Sequence, residues 1–140
     1  MSQAIHADAV ARWTPAGWRG VLISGAPGSG KSDLTLRLMG RGWRLVSDDY
    51  SHVWASDGAL WACAPQGIAG MIEARGVGIL APGGRPSVRI ALVVEAADAP
   101  PERLPDPQFS GICGLSTPLV RLQLQHASTV ELVAHALARV

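Results

Sequence analysis

One eight-residue segment limits the possible folds of this chain more than any other feature. Residues 25–32 read Gly-Ala-Pro-Gly-Ser-Gly-Lys-Ser and match the pattern G-x-x-x-x-G-K-[S/T] at every fixed position. The segment follows residues 19–24, a short β-branched run typical of a strand buried on both faces. It precedes residues 31–39, whose apolar spacing is that of a helix ending at Gly40. A strand, a glycine-rich loop and a helix in this order predict an α/β fold with a phosphate-binding loop.

Each position of this loop has a physical role in binding a nucleotide. Its glycines let successive backbone N–H groups point at phosphate oxygens, and the helix adds its partial positive end. Lys31 is expected to reach the β- and γ-phosphates, while Ser32 places its hydroxyl on Mg²⁺. ATP and Mg²⁺ are therefore the expected ligands. The candidate nucleotide-binding residues are Gly25, Ala26, Pro27, Gly28, Ser29, Gly30, Lys31 and Ser32.

Two adjacent carboxylates, Asp48 and Asp49, follow the next predicted strand, residues 43–47. The carboxyl end of a strand parallel to the first would open beside the phosphates. One aspartate could hold Mg²⁺ through water while the other accepts a proton from an incoming hydroxyl, and the pattern does not say which. Alternatively, both could simply begin a surface turn, because Asp is common there.

The rest of the chain predicts further strands, a hairpin and a second helix. Residues 4–11 are typical of a short strand, and residues 50–64 of a hairpin that turns at 56–58. The glycine-rich stretch 67–84 indicates loop and short strand, followed by a buried strand at 88–95, a proline-rich loop at 96–107 and a weak strand at 119–124. Ser128 and Glu131 form a capping-box pattern at the start of a helix. Its predicted buried face contains Val130, Val133, Leu137 and Val140.

Composition indicates the number of domains and disfavours several classes of partner. A chain of 140 residues, 48% of them hydrophobic, is expected to form one domain, residues 1–140, with its own core. A net charge of +1 does not favour a nucleic-acid binder or a basic membrane-surface protein. We expect a cytoplasmic protein without a membrane partner, because the sequence has no long apolar run and no secretory start. Cys63 and Cys113 lack metal-ligand spacing and are expected to be reduced thiols.

Three segments in order resemble the catalytic domain of bacterial HPr kinase/phosphorylase. They are residues 25–32, residues 41–49 (Arg-Gly-Trp-Arg-Leu-Val-Ser-Asp-Asp) and residues 72–79 (Ile-Glu-Ala-Arg-Gly-Val-Gly-Ile). The resemblance covers roughly residues 5–80 and continues weakly to the end. It implies a P-loop-containing mixed β-sheet packed with helices, similar to the core of phosphoenolpyruvate carboxykinase. It also implies ATP-dependent phosphorylation of a serine on the phosphocarrier HPr and, in many members, phosphorolysis that yields pyrophosphate.

The resemblance implies a role for each central side chain. Lys31 and the loop amides would bind phosphate, and Ser32 and Glu73 would be metal ligands. Asp49, or its neighbour Asp48, would act as the base that receives the serine proton. An aligned carboxylate helps because a serine hydroxyl is a weak nucleophile, while positioning and Mg²⁺ account for most of the catalysis.

The resemblance extends to three more side chains and to assembly. Arg75 would steady a phosphate or hold the glycine-rich loop. His6 resembles the family's histidine upstream of the P-loop, and Arg103 resembles a catalytic arginine that follows the main C-terminal strand. Relatives assemble as hexameric rings, so a homo-oligomer is expected here.

The sequence departs from full-length family members in two places. It lacks their amino-terminal regulatory domain and resembles a short form that consists of the catalytic domain, so allosteric control by metabolites is not expected. Residues 121–127 stand where a basic, glycine-containing segment associated with dephosphorylation is expected. The sequence therefore supports the kinase reaction more strongly than its reversal.

Two other functions are compatible with a P-loop. A small-molecule kinase of the shikimate or gluconate type also has acidic residues after the P-loop helix, but the hairpin predicted after Asp49 disfavours it. A nucleotide-sensing module without catalysis would not need the full set of Lys31, Ser32, the two aspartates and Glu73. Transfer to HPr, compared with ATP binding without turnover, separates these functions.

Overall fold

A computed structural model describes residues 2–140 of the chain. Its elements, in order, are β1 (Ser2–Ile5), β2 (Ala7–Thr14), β3 (Gly17–Ser24), α1 (Lys31–Met39), β4 (Arg44–Ser47), β5 (Ser51–Ser56), β6 (Ala59–Cys63), a 3₁₀ turn (Gln66–Ile68), β7 (Ile72–Ala74), β8 (Gly78–Leu80), β9 (Ser87–Ala96), β10 (Gln108–Ile112), β11 (Leu115–Leu122) and α2 (Thr129–Ala138).

Nine strands form one mixed sheet around β9. One edge of β9 pairs in parallel with β3, while the other pairs antiparallel with β6 and, further along, in parallel with β11. Beyond β3 come β2 and then β4, each pairing antiparallel with its neighbour. β3 and β4 therefore run in the same direction on either side of β2. Their carboxyl ends, which carry the P-loop and the two adjacent aspartates, lie at the same edge of the sheet.

The sheet buries apolar side chains on both faces. One cluster packs between the sheet and the helices and includes Val10, Val21, Leu34 and Val133. The opposite cluster consists of strand residues such as Leu22, with contributions from β5, β6 and β9. Because successive residues of a strand point to opposite faces, β3 needs apolar residues at every position of its centre. This requirement explains its Val-Leu-Ile run.

The predicted α/β class with a mixed sheet is confirmed, as are the P-loop helix and the hairpin. The β5–β6 hairpin turns at Asp57 and Gly58, whose φ angles are +51° and +74°. Both angles are positive, as a two-residue hairpin turn that matches strand twist requires. Cys63 and Cys113 are half-buried free thiols. Neither described helix in residues 2–140 has the length and apolar character needed to cross a membrane.

The strands differ from the predicted ones in two places. Residues 4–11 do not form one strand, because the chain changes partners at His6: β1 pairs with β5, whereas β2 pairs with β3 and β4. β10 was not predicted, since its Ser110-Gly111 sequence has low strand propensity. It forms because β11 folds back on it across the turn at Cys113 and Gly114.

The second helix begins where the sequence predicts, but the capping box is absent. The Ser128 side chain makes no capping hydrogen bond. Instead, the Ser128 backbone N–H donates to Nδ1 of His126, 3.2 Å away, and the Thr129 hydroxyl donates to the carbonyl of Gln123, 2.6 Å away. The side chain of Glu131 pairs with Arg41 on the neighbouring helix-end turn. Val130, Val133 and Leu137 are buried as predicted, whereas Val140 lies beyond the helix end and is exposed.

Candidate active site

The P-loop connects β3 to α1 and presents backbone donors. Gly28 and Gly30 have φ angles of +83° and +99°, a conformation that glycine adopts without strain. Gly30 is the N-cap of α1 and supplies no side-chain acceptor. The first N–H groups of the helix therefore have no capping partner, and the positive end of the helix dipole faces the loop. This arrangement is suited to a bound anion.

Lys31 lies in the first turn of α1 with only 5% of its side chain exposed. Its Nζ donates to the carbonyls of Gly25 and Ala26, at 3.0 and 3.3 Å. The same atom lies 3.9 Å from Oδ1 of Asp49. The ammonium group is thus held under the loop, with a carboxylate on one side.

The loop also contains a buried hydroxyl without a partner. Oγ of Ser29 is one of two buried side-chain polar atoms of residues 2–140 that make no hydrogen bond within the protein. A Cβ at Gly25 would lie 2.5 Å from that Oγ and 2.7 Å from Cβ of Ala96, so only glycine fits there. An unpaired buried hydroxyl is unfavourable unless a ligand completes it. The loop therefore fits a phosphate group.

Asp48 connects α1 to β7 and is 9% exposed. Its Oδ1 accepts the Ser32 hydroxyl at 2.5 Å, and its Oδ2 accepts the backbone N–H of Glu73 at 3.0 Å. A serine hydroxyl beside a carboxylate offers the oxygen ligands that Mg²⁺ prefers. Residues 2–140 contain no cluster of three or more His, Cys, Asp or Glu side chains arranged to hold a metal. Since Mg²⁺ is commonly held by one or two carboxylates plus water and substrate phosphates, the pair fits it.

Asp49 points a more exposed carboxylate at the P-loop lysine. Its side chain is 53% exposed, and its Oδ1 lies 2.7 Å from Nε2 of His6. The ring of His6 stacks on that of Tyr50, with centroids 4.8 Å apart. The carboxylate is thus reachable from solvent while two cationic or proton-bearing groups orient it.

Sequence reasoning missed Asp8, a fully buried carboxyl group on β2. Its Oδ2 accepts the Thr35 hydroxyl at 2.7 Å, and its Oδ1 accepts the backbone N–H of Asp49 at 2.9 Å. Burial, reinforced by the negative charge of Asp48, raises the pKa of Asp8 to about 7. The sequence did contain one signal: a charged residue within the apolar, alanine-rich run of residues 7–11, which the structure buries. Charged residues are almost never fully buried unless they are paired.

The structure brings together most of the predicted side chains, with three exceptions. Glu73 reaches the cluster through its backbone, while its carboxylate is exposed. Arg75 is exposed beside the β7–β8 turn, and Arg103 is exposed in the proline-rich loop. No hydrogen bond or ion pair within residues 2–140 joins either arginine to the cluster. The metal-ligand role of Glu73 and the roles of both arginines stay predictions.

Comparison with known proteins identifies relatives. The family model of the HPr Serine kinase C-terminal domain matches residues 17–139. An HPr kinase/phosphorylase from Clostridium botulinum is 46% identical over 61 residues, one from Clostridium kluyveri 49% over 61 residues, and one from Streptococcus thermophilus 48% over 62 residues. Each match covers 44% of this chain and 20% of the relative, so the matched part spans a fifth of these longer proteins.

A solved structure matches nearly the whole chain. The HPr(Ser) kinase/phosphatase from Coxiella burnetii superposes with a TM-score of 0.76 at 25% sequence identity, covering 98% of this chain and 88% of that one. The two proteins therefore have the same mixed α/β fold with a curled sheet. Together with the family model, which spans most of the chain, this agreement shows that the chain belongs to the HPr serine kinase C-terminal domain family.

Proposed function

We propose that this chain is a Mg²⁺-dependent phosphotransferase that transfers the γ-phosphoryl group of ATP to a serine of HPr. One observation carries the proposal: the half-exposed carboxylate of Asp49 lies 3.9 Å from Nζ of the P-loop Lys31. A proton acceptor beside the expected γ-phosphate position is what a hydroxyl nucleophile needs. The names of the relatives, HPr kinase/phosphorylase, support the choice of HPr as the acceptor.

The P-loop and α1 would hold the nucleotide phosphates. The helix N–H groups and the unpaired Ser29 hydroxyl supply donors, while Lys31 adds a positive charge already directed toward the loop. These groups occupy fixed positions before the nucleotide arrives, so little reorganisation is needed during phosphoryl transfer. Ser32 and Asp48 would hold Mg²⁺, which would supply positive charge to offset the charge that builds up during phosphoryl transfer.

Asp49 would accept the proton of the incoming serine. Its exposure allows a protein substrate to approach, which a buried carboxylate would not. His6 and Lys31 hold one of its oxygens, leaving the other carboxylate oxygen available for the hydroxyl. General-base assistance of this kind contributes typically 10²–10⁴-fold to a rate.

The same groups would serve the reverse reaction. Inorganic phosphate would attack the phosphoryl group of phosphoserine-HPr to form pyrophosphate, and protonated Asp49 would return its proton to the serine oxygen. Release of pyrophosphate from phosphoserine-HPr on addition of phosphate tests this part separately. Assembly into a homo-oligomer, expected from the family resemblance, is tested by sedimentation of the purified chain.

A phosphorylation assay tests the proposal. The chain is incubated with Mg²⁺, γ-labelled ATP and HPr, and an HPr variant with its acceptor serine replaced by alanine is the matched control. We expect label on one serine of HPr and none on the variant. ATP binding without transfer to HPr would contradict the proposal and favour a small-molecule kinase or a nucleotide sensor.

A further inference from the structure

We propose that Asp8 is a positioning residue for this reaction, because its carboxyl group holds the Asp49 backbone in the strained turn that directs the Asp49 side chain to the P-loop. This inference rests on the proposed function, since it assigns Asp8 a task only if Asp49 works on a substrate. Asp8 itself is fully buried and touches no substrate position, so it acts through Asp49.

The backbone at Asp49 has an unusual conformation. The N–H of Tyr50 donates to the carbonyl of Asp48, 2.8 Å away, and φ of Asp49 is +70°. A three-residue turn closed by this i to i+2 hydrogen bond, with positive φ at its centre, is the rare and strained kind of γ-turn. Residues with a Cβ adopt it only when surrounding contacts compensate.

Asp8 supplies such a contact. In this turn the central N–H is not used by the turn's own hydrogen bond, and the Asp49 N–H donates instead to Oδ1 of Asp8 at 2.9 Å. The residues flanking Asp8 on β2, Ala7 and Ala9, are also fully buried, so the acceptor end of this bond is shielded from water. Losing Asp8 would leave the amide without an acceptor and remove a reason for the turn to keep its shape.

The second oxygen of Asp8 connects the turn to the P-loop helix. Oδ2 accepts the hydroxyl of Thr35, which lies on α1 one turn after Lys31. One buried carboxyl group thus joins the helix that carries Lys31 to the turn that carries Asp49. This link accounts for the short Lys31–Asp49 separation and for the position of the exposed carboxylate beside His6.

Two shape-matched substitutions separate hydrogen bonding from packing. Asp8→Asn retains an acceptor for the Asp49 N–H and a polar group for Thr35, whereas Asp8→Leu has the same branching without either. Amide hydrogen exchange at Asp49 is the first readout because it needs no activity. We expect exchange in Asp8→Leu to be faster by about tenfold, as for one lost hydrogen bond, and exchange in Asp8→Asn to stay close to that of the unmodified protein.

Kinetics with HPr provide the second readout. In Asp8→Leu we expect kcat to fall by ten- to a hundredfold, roughly the effect of a small misplacement of a reacting group, while the dissociation constant of ATP stays within about threefold. Asp8→Asn should recover most of kcat. Asp57→Ala, which alters a distant exposed turn, is the control for unspecific loss.

Specific results would overturn the inference. Unchanged Asp49 exchange in Asp8→Leu would do so whether or not the protein phosphorylates HPr. Equal loss of kcat in Asp8→Asn and Asp8→Leu would show that the carboxyl group, not its hydrogen bonding, is required. Failure of the unmodified protein to phosphorylate HPr would instead contradict the proposed function and leave the exchange result to decide the role of Asp8. If Asp8→Leu does not fold, loss of Asp49 protection in Asp8→Asn would equally overturn the inference.

Discussion

Two turns of this molecule have an aspartate at positive φ, and they are built in different ways. Asp57 lies with Gly58 at the tip of the β5–β6 hairpin, and both residues are exposed. Asp49 lies in the turn that follows β4, at the edge of the sheet next to the P-loop. Both turns use Asp, a residue that tolerates the left-handed conformation better than most.

The two turns differ in what stabilises them. The hairpin turn is fixed by its own short sequence and by the strand pairs on either side, which run from Ser56–Ala59 to His52–Cys63. The turn at Asp49 depends on two contacts from elsewhere in the chain: Asp8 accepts the Asp49 N–H, and His6 contacts the Asp49 carboxylate. A local bond adds to them, since Ser47 donates its hydroxyl to the carbonyl of Tyr50. Tertiary contacts around a strained turn are typical of functional sites.

The largest expected effect is at the P-loop. Lys31→Ala removes the charge expected to bind the nucleotide phosphates, so we expect transfer to HPr to fall by about a thousandfold or more. Asp57→Ala in the hairpin turn should leave transfer unchanged. Steady-state kinetics of both variants make the comparison, and a Lys31→Ala protein that stays within tenfold of the unmodified rate would contradict the site assignment.

Asp48→Ala should distinguish the role of Asp48 from that of the adjacent Asp49. The variant loses the acceptor of the Ser32 hydroxyl and of the Glu73 N–H, which we expect to lower the free energy of unfolding by about 1–3 kcal/mol. If Asp48 helps to hold Mg²⁺, the Mg²⁺ concentration for half-maximal rate should also rise. Urea denaturation and a Mg²⁺ titration check the two effects, and an unchanged Mg²⁺ requirement would remove Asp48 from the metal site.

The buried Asp8 should make stability depend on pH. The pKa of Asp8 is raised from 3.8 to about 7 by folding, so the folded state binds its proton more tightly than the unfolded state. Its contribution to stability is complete below pH 4 and is lost as pH rises through 7, by at most about 4 kcal/mol. Asp8→Asn should remove this decline in urea denaturation measured from pH 4 to 8. The same decline in Asp8→Asn would show that another group causes it.

The smallest effect is expected at the hairpin tip. Gly58 has φ of +74° and no atom within 4 Å of a built Cβ, so alanine there meets backbone strain but no clash. We expect Gly58→Ala to destabilise the protein by about 1 kcal/mol and to leave phosphoryl transfer unchanged. Loss of activity beyond that explained by unfolding would show that the hairpin also serves the site.

Features specified by adjacent residues could be predicted from the sequence. The P-loop, its helix and the Ser56-Asp57-Gly58 turn each depend on residue types at fixed short spacing. The position of Asp48 and Asp49 beside the loop also followed, because parallel strands end at one edge of a sheet.

Other features depend on contacts between distant segments. Asp8 and Thr35 are 27 residues apart, and Asp8 and Asp49 are 41 apart, so no local pattern shows that they meet. The break at His6 arises because β1 and β2 pair with different strands. β10 likewise forms only by pairing with β11. For these strands, pairing with distant parts of the chain outweighed the local strand propensity.

The most direct test of the account is a paired measurement on Asp49→Ala: its affinity for ATP and its single-turnover rate of transfer to HPr. Because the P-loop and Lys31 remain, we expect ATP to bind with nearly unchanged affinity. Because the proton acceptor is lost, transfer should be slower by about a hundredfold or more. Transfer at the unmodified rate, with ATP binding retained, would contradict the role of Asp49 on which the proposed mechanism depends.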